Sequence, residues 1–120
     1  MKTDKSLKTT DLGRMGEDRA VIYLESLGYS VLERNYFCEA GEIDIVARDR
    51  EGCLVFVEVK TRRSEAYGSA ISAVGKSKLR KITQTAYHYV KNYEEEQDMR
   101  IEVVSVTFGM DVNIEHTEVY

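Results

Sequence analysis

The sequence predicts an α/β domain: a mixed β-sheet flanked by helices, in the order α-β-β-β-α-β with a possible short final strand. Apolar residues recur at helical spacing in two separate stretches. Between them lie valine- and isoleucine-rich runs that alternate at period two, joined by turns short enough to make antiparallel hairpins. With 120 residues the chain is long enough for one core and too short for two.

Residues 1–10 are polar and lysine-dotted and read as a flexible tail, leaving 11–120 as a single domain. From Asp11 to Leu27, the residues Leu12, Gly16, Ala20, Leu24 and Leu27 recur three or four apart, and Gly28 stands where a helix terminator belongs. Strand-like runs follow at Tyr29–Phe37, Glu42–Arg48 and Leu54–Thr61, with turn residues at Glu39–Gly41 and Asp49–Gly52. Ile71, Val74, Leu79, Ile82, Ala86 and Val90 give a helical period interrupted near Gly75, which places the regular helix at about Lys76–Tyr93. Arg100–Phe108 alternates as a fourth strand, and Asn113–Tyr120 is expected to add a short edge strand.

Proline is absent and no linker or repeat divides the chain. No apolar run approaches the ~18–20 residues of a membrane span, so a cytoplasmic protein with no membrane partner is expected. Cys38 and Cys53 sit in no CxxC or histidine-rich setting, which argues for reduced thiols over a zinc site. The formal net charge of −4 counts against a polyanionic partner, but its distribution does not. Lys60–Lys91 holds 8 basic residues and 1 acidic, whereas Asn92–Tyr120 holds 1 basic and 8 acidic. Folded onto one face, the basic middle would contact phosphate; the alternative is an ordinary solvated helix face.

The chemistry concentrates in two strands. In Leu54–Lys60, Val55, Val57 and Val59 share one face while Phe56, Glu58 and Lys60 share the other, so a carboxylate and an ammonium interrupt a buried run. In Glu42–Val46, Ile43 and Ile45 are expected on one face, with Glu42, Asp44 and Val46 on the other. An antiparallel register joining Val46 to Phe56 places Asp44 opposite Glu58. Adjacent carboxylates repel unless one is protonated or a cation lies between them. Oxygen donors suit Mg²⁺, or Mn²⁺ in its place, which keeps several waters and accepts phosphate ligands. Lys60 would then orient or deprotonate the attacking water, or offset charge on the phosphate. Glu17 borders the sheet-facing stripe of the first helix and would close the metal site. A buried salt bridge is the alternative for Glu58 and Lys60, and a helix-dipole role for Glu17. Glu42 reads as a rim charge, the tyrosines as core-edge residues, and His88 and His116 receive no catalytic role.

The stretches Gly13-Arg14-Met15-Gly16-Glu17, Asn35-Tyr36, Gly41-Glu42-Ile43-Asp44 and Phe56-Val57-Glu58-Val59-Lys60-Thr61-Arg62 together resemble the YraN family, also called UPF0102, over nearly the whole chain. That family is similar to the restriction-endonuclease-like superfamily, especially archaeal Holliday-junction resolvases with their PD-(D/E)xK pattern. The resemblance implies a restriction-endonuclease-like core and matches Glu17, Asp44, Glu58 and Lys60 to the catalytic set, with Asp44, Glu58 and Glu17 as metal ligands. Ile43 replaces the motif proline, and Glu102 stands where the family usually carries aspartate.

The resemblance implies a metal-dependent endonuclease acting on DNA, branched or junction forms included; hydrolysis of RNA or nucleotides by the same metal chemistry is a separate alternative. Arg62, Arg63, Lys76, Lys78, Arg80 and Lys81 are the expected phosphate contacts. A junction-cutting enzyme needs two sites, which a homodimer would supply. The rival expectation is a nucleic-acid-binding protein that keeps the fold without cleaving.

Overall fold

The computed structural model describes residues 9–63 and 75–120. It contains α1 (Thr9–Ser26), β1 (Ser30–Cys38), β2 (Gly41–Arg48), β3 (Leu54–Arg62), α2 (Lys76–Val90), β4 (Met99–Phe108) and β5 (Val112–Glu118). The expected order holds, and the last strand is present. Helix α1 starts at Thr9, two residues inside the expected tail, while residues 1–8 of that tail lie outside the described residues. Ile71 and Val74 of the second helical pattern also lie outside them. No described helix is long and apolar enough to cross a membrane.

The five strands form one sheet in the order β1-β2-β3-β4-β5. β1/β2, β2/β3 and β4/β5 are antiparallel, and β3/β4 is parallel. A parallel neighbour requires a crossover, which is why α2 falls between β3 and β4. Each face of the sheet carries one helix. Ala20 and Leu24 of α1 pack with Ile45, Ala47, Val55, Val57, Val104 and Val106. On the α2 side, Ile82, Ala86 and Tyr89 pack with Ile43, Val46, Leu54, Phe56 and Ile101. β3 alternates between the two layers and is buried from Leu54 through Glu58, next to β4, which is buried from Ile101 through Thr107.

One expected face assignment is corrected. Ile43 joins the α2 layer and Ile45 the α1 layer, so strict alternation fails across Asp44. The cause lies on β1, where Asn35, flanked by the Arg34↔Ile45 and Tyr36↔Ile43 pairs, adopts φ 56°. A left-handed residue inside a strand re-aims its neighbours, and asparagine is one of the few residues that tolerates it. Tyr23, Tyr29, Tyr36 and Tyr89 are buried or half-buried as expected, but Tyr87 is 53% exposed.

Helix α1 ends as its sequence predicts. Gly28 takes φ 94°, the Gly28 amide bonds the Glu25 carbonyl and the Tyr29 amide bonds the Leu24 carbonyl, a turn that caps the helix and starts β1.

Candidate active site

The β2/β3 ladder runs from Arg48↔Leu54 to Ile45↔Val57, including the Val46↔Phe56 pair on which the Asp44–Glu58 expectation depends. One step further along this register Asp44 faces Glu58. There the backbone ladder gives way to a side-chain bond: the Val59 amide donates to Asp44 Oδ2 at 2.7 Å. The strands therefore open at the position where two carboxylates meet.

Burial and then the neighbouring Glu58 carboxylate push the Asp44 carboxyl up to about 7; the Val59 amide pulls the other way, and Glu17 and Glu42 add to the rise. Asp44 is thus the electrostatic meeting point of all the acidic candidates. It lines a cleft of about 510 Å³ together with Glu17, Glu42, Asn35, Val59 and Thr61. Glu17 reaches this cleft because α1 crosses β3 closely at Gly16, where the bare glycine backbone faces Thr61.

Glu17 is buried and asymmetric in its bonding. Arg34 donates to its Oε1 at 3.2 Å and the Asn35 amide at 3.4 Å, while Oε2, also buried, has no hydrogen-bond partner. Arg34 is itself anchored by Asp18 at 2.6 Å. Glu58 is buried as well, with Lys60 Nζ 3.9 Å and Lys78 Nζ 3.4 Å from its Oε2.

These features fit a hard divalent cation. The donors are carboxylate oxygens, one of them is buried without a partner, and a clustered aspartate is displaced toward its neutral form. Among the described residues no three acidic or histidine side chains close into a ready-made cage. Mg²⁺ needs none, since it is commonly held by one or two carboxylates plus water and phosphate.

Glu17 and Asp44 line the cleft, Glu58 is near enough to Asp44 for its charge to act on it, and Lys60 stands beside Glu58; neither Glu58 nor Lys60 lines the cleft itself. Of the expected phosphate contacts, Lys76, Arg80 and Lys81 are exposed on α2, Arg63 is exposed and Arg62 is half-buried at the end of β3. Lys78 is also exposed but turns its ammonium onto Glu58. The first turn of α2 contains no acidic residue and Gly75 provides no side-chain cap. Cations there add to the positive end of the helix dipole and do not stabilise the helix. Sequence reasoning missed Arg14, which lines the cleft, together with Arg34 and Asn35. Arg14 and Asn35 do lie inside the stretches that carry the family resemblance.

A second polar cluster lies apart from the cleft. Buried Glu102 accepts from Tyr29 at 3.0 and 3.1 Å and from Arg100 Nε at 2.7 Å, and His116 Nε2 lies 2.7 Å away. Arg100 also bonds Asp49 at 2.7 Å, and Tyr23 bonds His116 at 3.0 Å. The network ties the β2–β3 turn to α1, to the turn before β1, and to β4 and β5.

The family model described as "Uncharacterised protein family UPF0102" matches residues 16–106. A UPF0102 protein of Geobacter metallireducens is 47% identical over 113 residues, covering 92% of this chain and 92% of the relative. One of Trichlorobacter lovleyi is 45% identical over 108 residues, covering 88% and 85%. Among solved structures, the EndoMS-dsDNA2 complex superposes with a TM-score of 0.51 at 16% identity, covering 84% of this chain and 38% of that one. A repair endonuclease from Pyrococcus abyssi gives a TM-score of 0.49 at 14% identity, covering 89% and 41%. The chain thus spans well under half the length of these structural neighbours, and the likeness to EndoMS is one of fold. The match over residues 16–106 and the near-full-length relatives make this chain a member of the UPF0102 family with a restriction-endonuclease-like fold.

Proposed function

We propose that the protein is a metal-dependent phosphodiesterase that cuts DNA. The observation that carries this reading is the opening of the β2/β3 ladder at Asp44 and Glu58, with a lysine two residues beyond Glu58 on the same strand. A structural role alone would favour apolar residues of similar volume at such a covered position.

Asp44, Glu58 and the unpartnered Oε2 of Glu17 would hold Mg²⁺ or Mn²⁺. Such an ion supplies Lewis-acid stabilisation of a phosphoryl oxygen and lowers the pKa of bound water. The chain's own groups do the rest. Asp44 lines the cleft and is held there by the Val59 amide. Lys60 orients the attacking water and offsets charge that develops on the phosphate. Lys76, Arg80 and Lys81 on α2, with Arg62 and Arg63 at the end of β3, hold the strand by its phosphates. EndoMS in its complex is bound to double-stranded DNA, which supports DNA as the partner class here. Structured DNA is the substrate we propose, the cytoplasm its location, and a symmetric dimer the arrangement that would cut both strands.

The test is incubation of wild type, Asp44→Asn and Lys60→Met with labelled junction, flap, duplex and single-stranded DNA and with RNA, in Mg²⁺ or Mn²⁺. Cleavage by wild type, lost in both variants, is expected. Salt-sensitive binding with no turnover on any substrate would move the assignment to a non-cleaving nucleic-acid-binding protein.

A further inference from the structure

Lys78 belongs by composition to the phosphate-facing surface of α2, yet its ammonium lies 3.4 Å from Glu58 Oε2. Lys60 stands 3.9 Å from the same oxygen. One buried carboxylate oxygen thus faces two ammonium groups, while Asp44 feels the charges of Glu58, Glu17 and Glu42 and Glu17 Oε2 has no hydrogen-bond partner. The nearby ammonium groups are gathered on Glu58, a carboxylate that a cation held beside Asp44 would also draw on.

The two lysines are held differently. Lys60 rises from β3 itself and is tied to the site by its strand, with its side chain 34% exposed. Lys78 arrives from the first turn of α2, and its side chain is 48% exposed, so it has water to move into. The helix end adds its own positive potential, leaving Glu58 as the group that compensates Lys78. If a dication occupies Oε2 that compensation is lost, and the less tethered ammonium is the one that leaves.

We propose that Lys78 is a placeholder on Glu58: it neutralises Oε2 while the site is free of metal, and on ion binding it swings outward to take a phosphate oxygen of the nucleic acid. The inference rests on the metal-dependent reading above and assigns Lys78 a positioning role within it. Ion binding then frees a cation for phosphate, and phosphate, by giving Lys78 another partner, favours the ion; the coupling is reciprocal.

The test uses the full chain and Mn²⁺ alone, with binding read by calorimetry and by the loss of free Mn²⁺ spin signal. Lys78→Gln should bind Mn²⁺ roughly three- to tenfold more tightly, because one competing charge a few ångströms away has been removed. Lys81→Gln makes the same charge change on the same helix without reaching Glu58 and should alter affinity less than about twofold. Lys78→Arg should restore the wild-type value. Unchanged or weaker Mn²⁺ binding by Lys78→Gln, or an equal gain in Lys81→Gln, overturns the proposal. Glu58→Gln separates the two levels: if it leaves Mn²⁺ binding intact, the metal reading falls and this inference with it. If it weakens binding while Lys78→Gln is neutral, only the placeholder falls. In a second measurement, Lys78→Gln should weaken binding to a 20-base-pair duplex several-fold in Ca²⁺ and little in EDTA. Equal losses in both would remove the hand-over to phosphate.

Discussion

Gly16 of α1 lies directly against Thr61 of β3: a Cβ at residue 16 would collide with the Thr61 hydroxyl and come within 2.6 Å of its Cγ2. Glu17, the next residue, projects into the cleft beside Asp44 only because the helix approaches this closely. Gly16→Ala must push α1 away or twist Thr61, and overpacking of this kind costs about 1–3 kcal/mol. The gain in helix propensity, at most about 1 kcal/mol, does not cover that loss. Urea unfolding should therefore show a destabilised variant, and Mn²⁺ binding should weaken as Glu17 is displaced. Adding Thr61→Ala should recover part of the stability, giving a coupling energy in the double-mutant cycle. A Gly16→Ala protein as stable as wild type would mean that the helix has slack at this crossing.

Asp44 gives a prediction opposite in sign to that for most buried substitutions. Burial and Glu58 raise its folded pKa to about 7, well above the ordinary carboxylate range. The folded state therefore binds the proton more tightly than the unfolded state does. In the absence of metal, stability falls as pH rises from about 4 to about 7 and then levels off. Asparagine keeps an oxygen for the Val59 amide and removes the charge. In EDTA at pH 8, Asp44→Asn should be more stable than wild type by on the order of 2–4 kcal/mol, a difference that disappears near pH 4. Thermal melts at the two pH values decide it; equal melting temperatures at pH 8 would show that Asp44 is ionised there at no cost.

What could be read beforehand was the part governed by local periodicity. The Val46↔Phe56 register follows from a short hairpin between two strands whose side chains alternate, and Asp44 opposite Glu58 follows from that register. Ile43 escaped because alternation fails at Asn35, whose left-handed backbone leaves no mark in a β-rich pattern. Lys78 reads as one more surface cation, since nothing in its neighbours tells how far a flexible side chain reaches across the packed helix–sheet interface. The Glu102 network was invisible for another reason. Tyr29 and Asp49 stand 73 and 53 residues from Glu102 in sequence, and they meet it or its partner Arg100 only after the sheet has closed.

That network makes the fold sensitive to acid. Burial pushes Glu102 up, but the hydrogen bonds from His116, Arg100 and Tyr29 outweigh it and hold the carboxyl below its usual range. Asp49 is likewise held low, its burial opposed by Arg100 and by the Cys53 and Glu51 amides. For acids depressed in the folded state, the stabilisation is complete above the unfolded carboxylate range and lost as pH falls through the depressed folded values. Glu102→Gln should remove most of this acid sensitivity. It should also cost about 1–3 kcal/mol at pH 7, since half-buried Arg100 keeps Asp49 but loses its second carboxylate partner to a neutral side chain. Denaturant midpoints for wild type and variant between pH 2 and pH 7 provide the check. Parallel curves would mean that other carboxylates dominate the acid limb.

Asn35 separates backbone from side-chain function at a single position. Its φ of 56° is one that glycine adopts freely and alanine resists, and its amide donates to Glu17 Oε1 at 3.4 Å. Asn35→Gly keeps the strand geometry and loses the amide, so its stability should stay within about 1 kcal/mol of wild type while Mn²⁺ affinity falls by a few-fold. Asn35→Ala loses the amide and adds backbone strain, so it should be less stable than the glycine variant by about 1–2 kcal/mol with a similar loss of Mn²⁺ affinity. Arg34 still holds the same Glu17 oxygen at 3.2 Å, which limits the loss in either variant. Adding Arg34→Ala to Asn35→Gly should deepen it, because Glu17 is then free to turn away from the cleft. If the double variant binds Mn²⁺ as wild type does, Glu17 is no part of the ion's coordination, and Asp44 and Glu58 hold it alone.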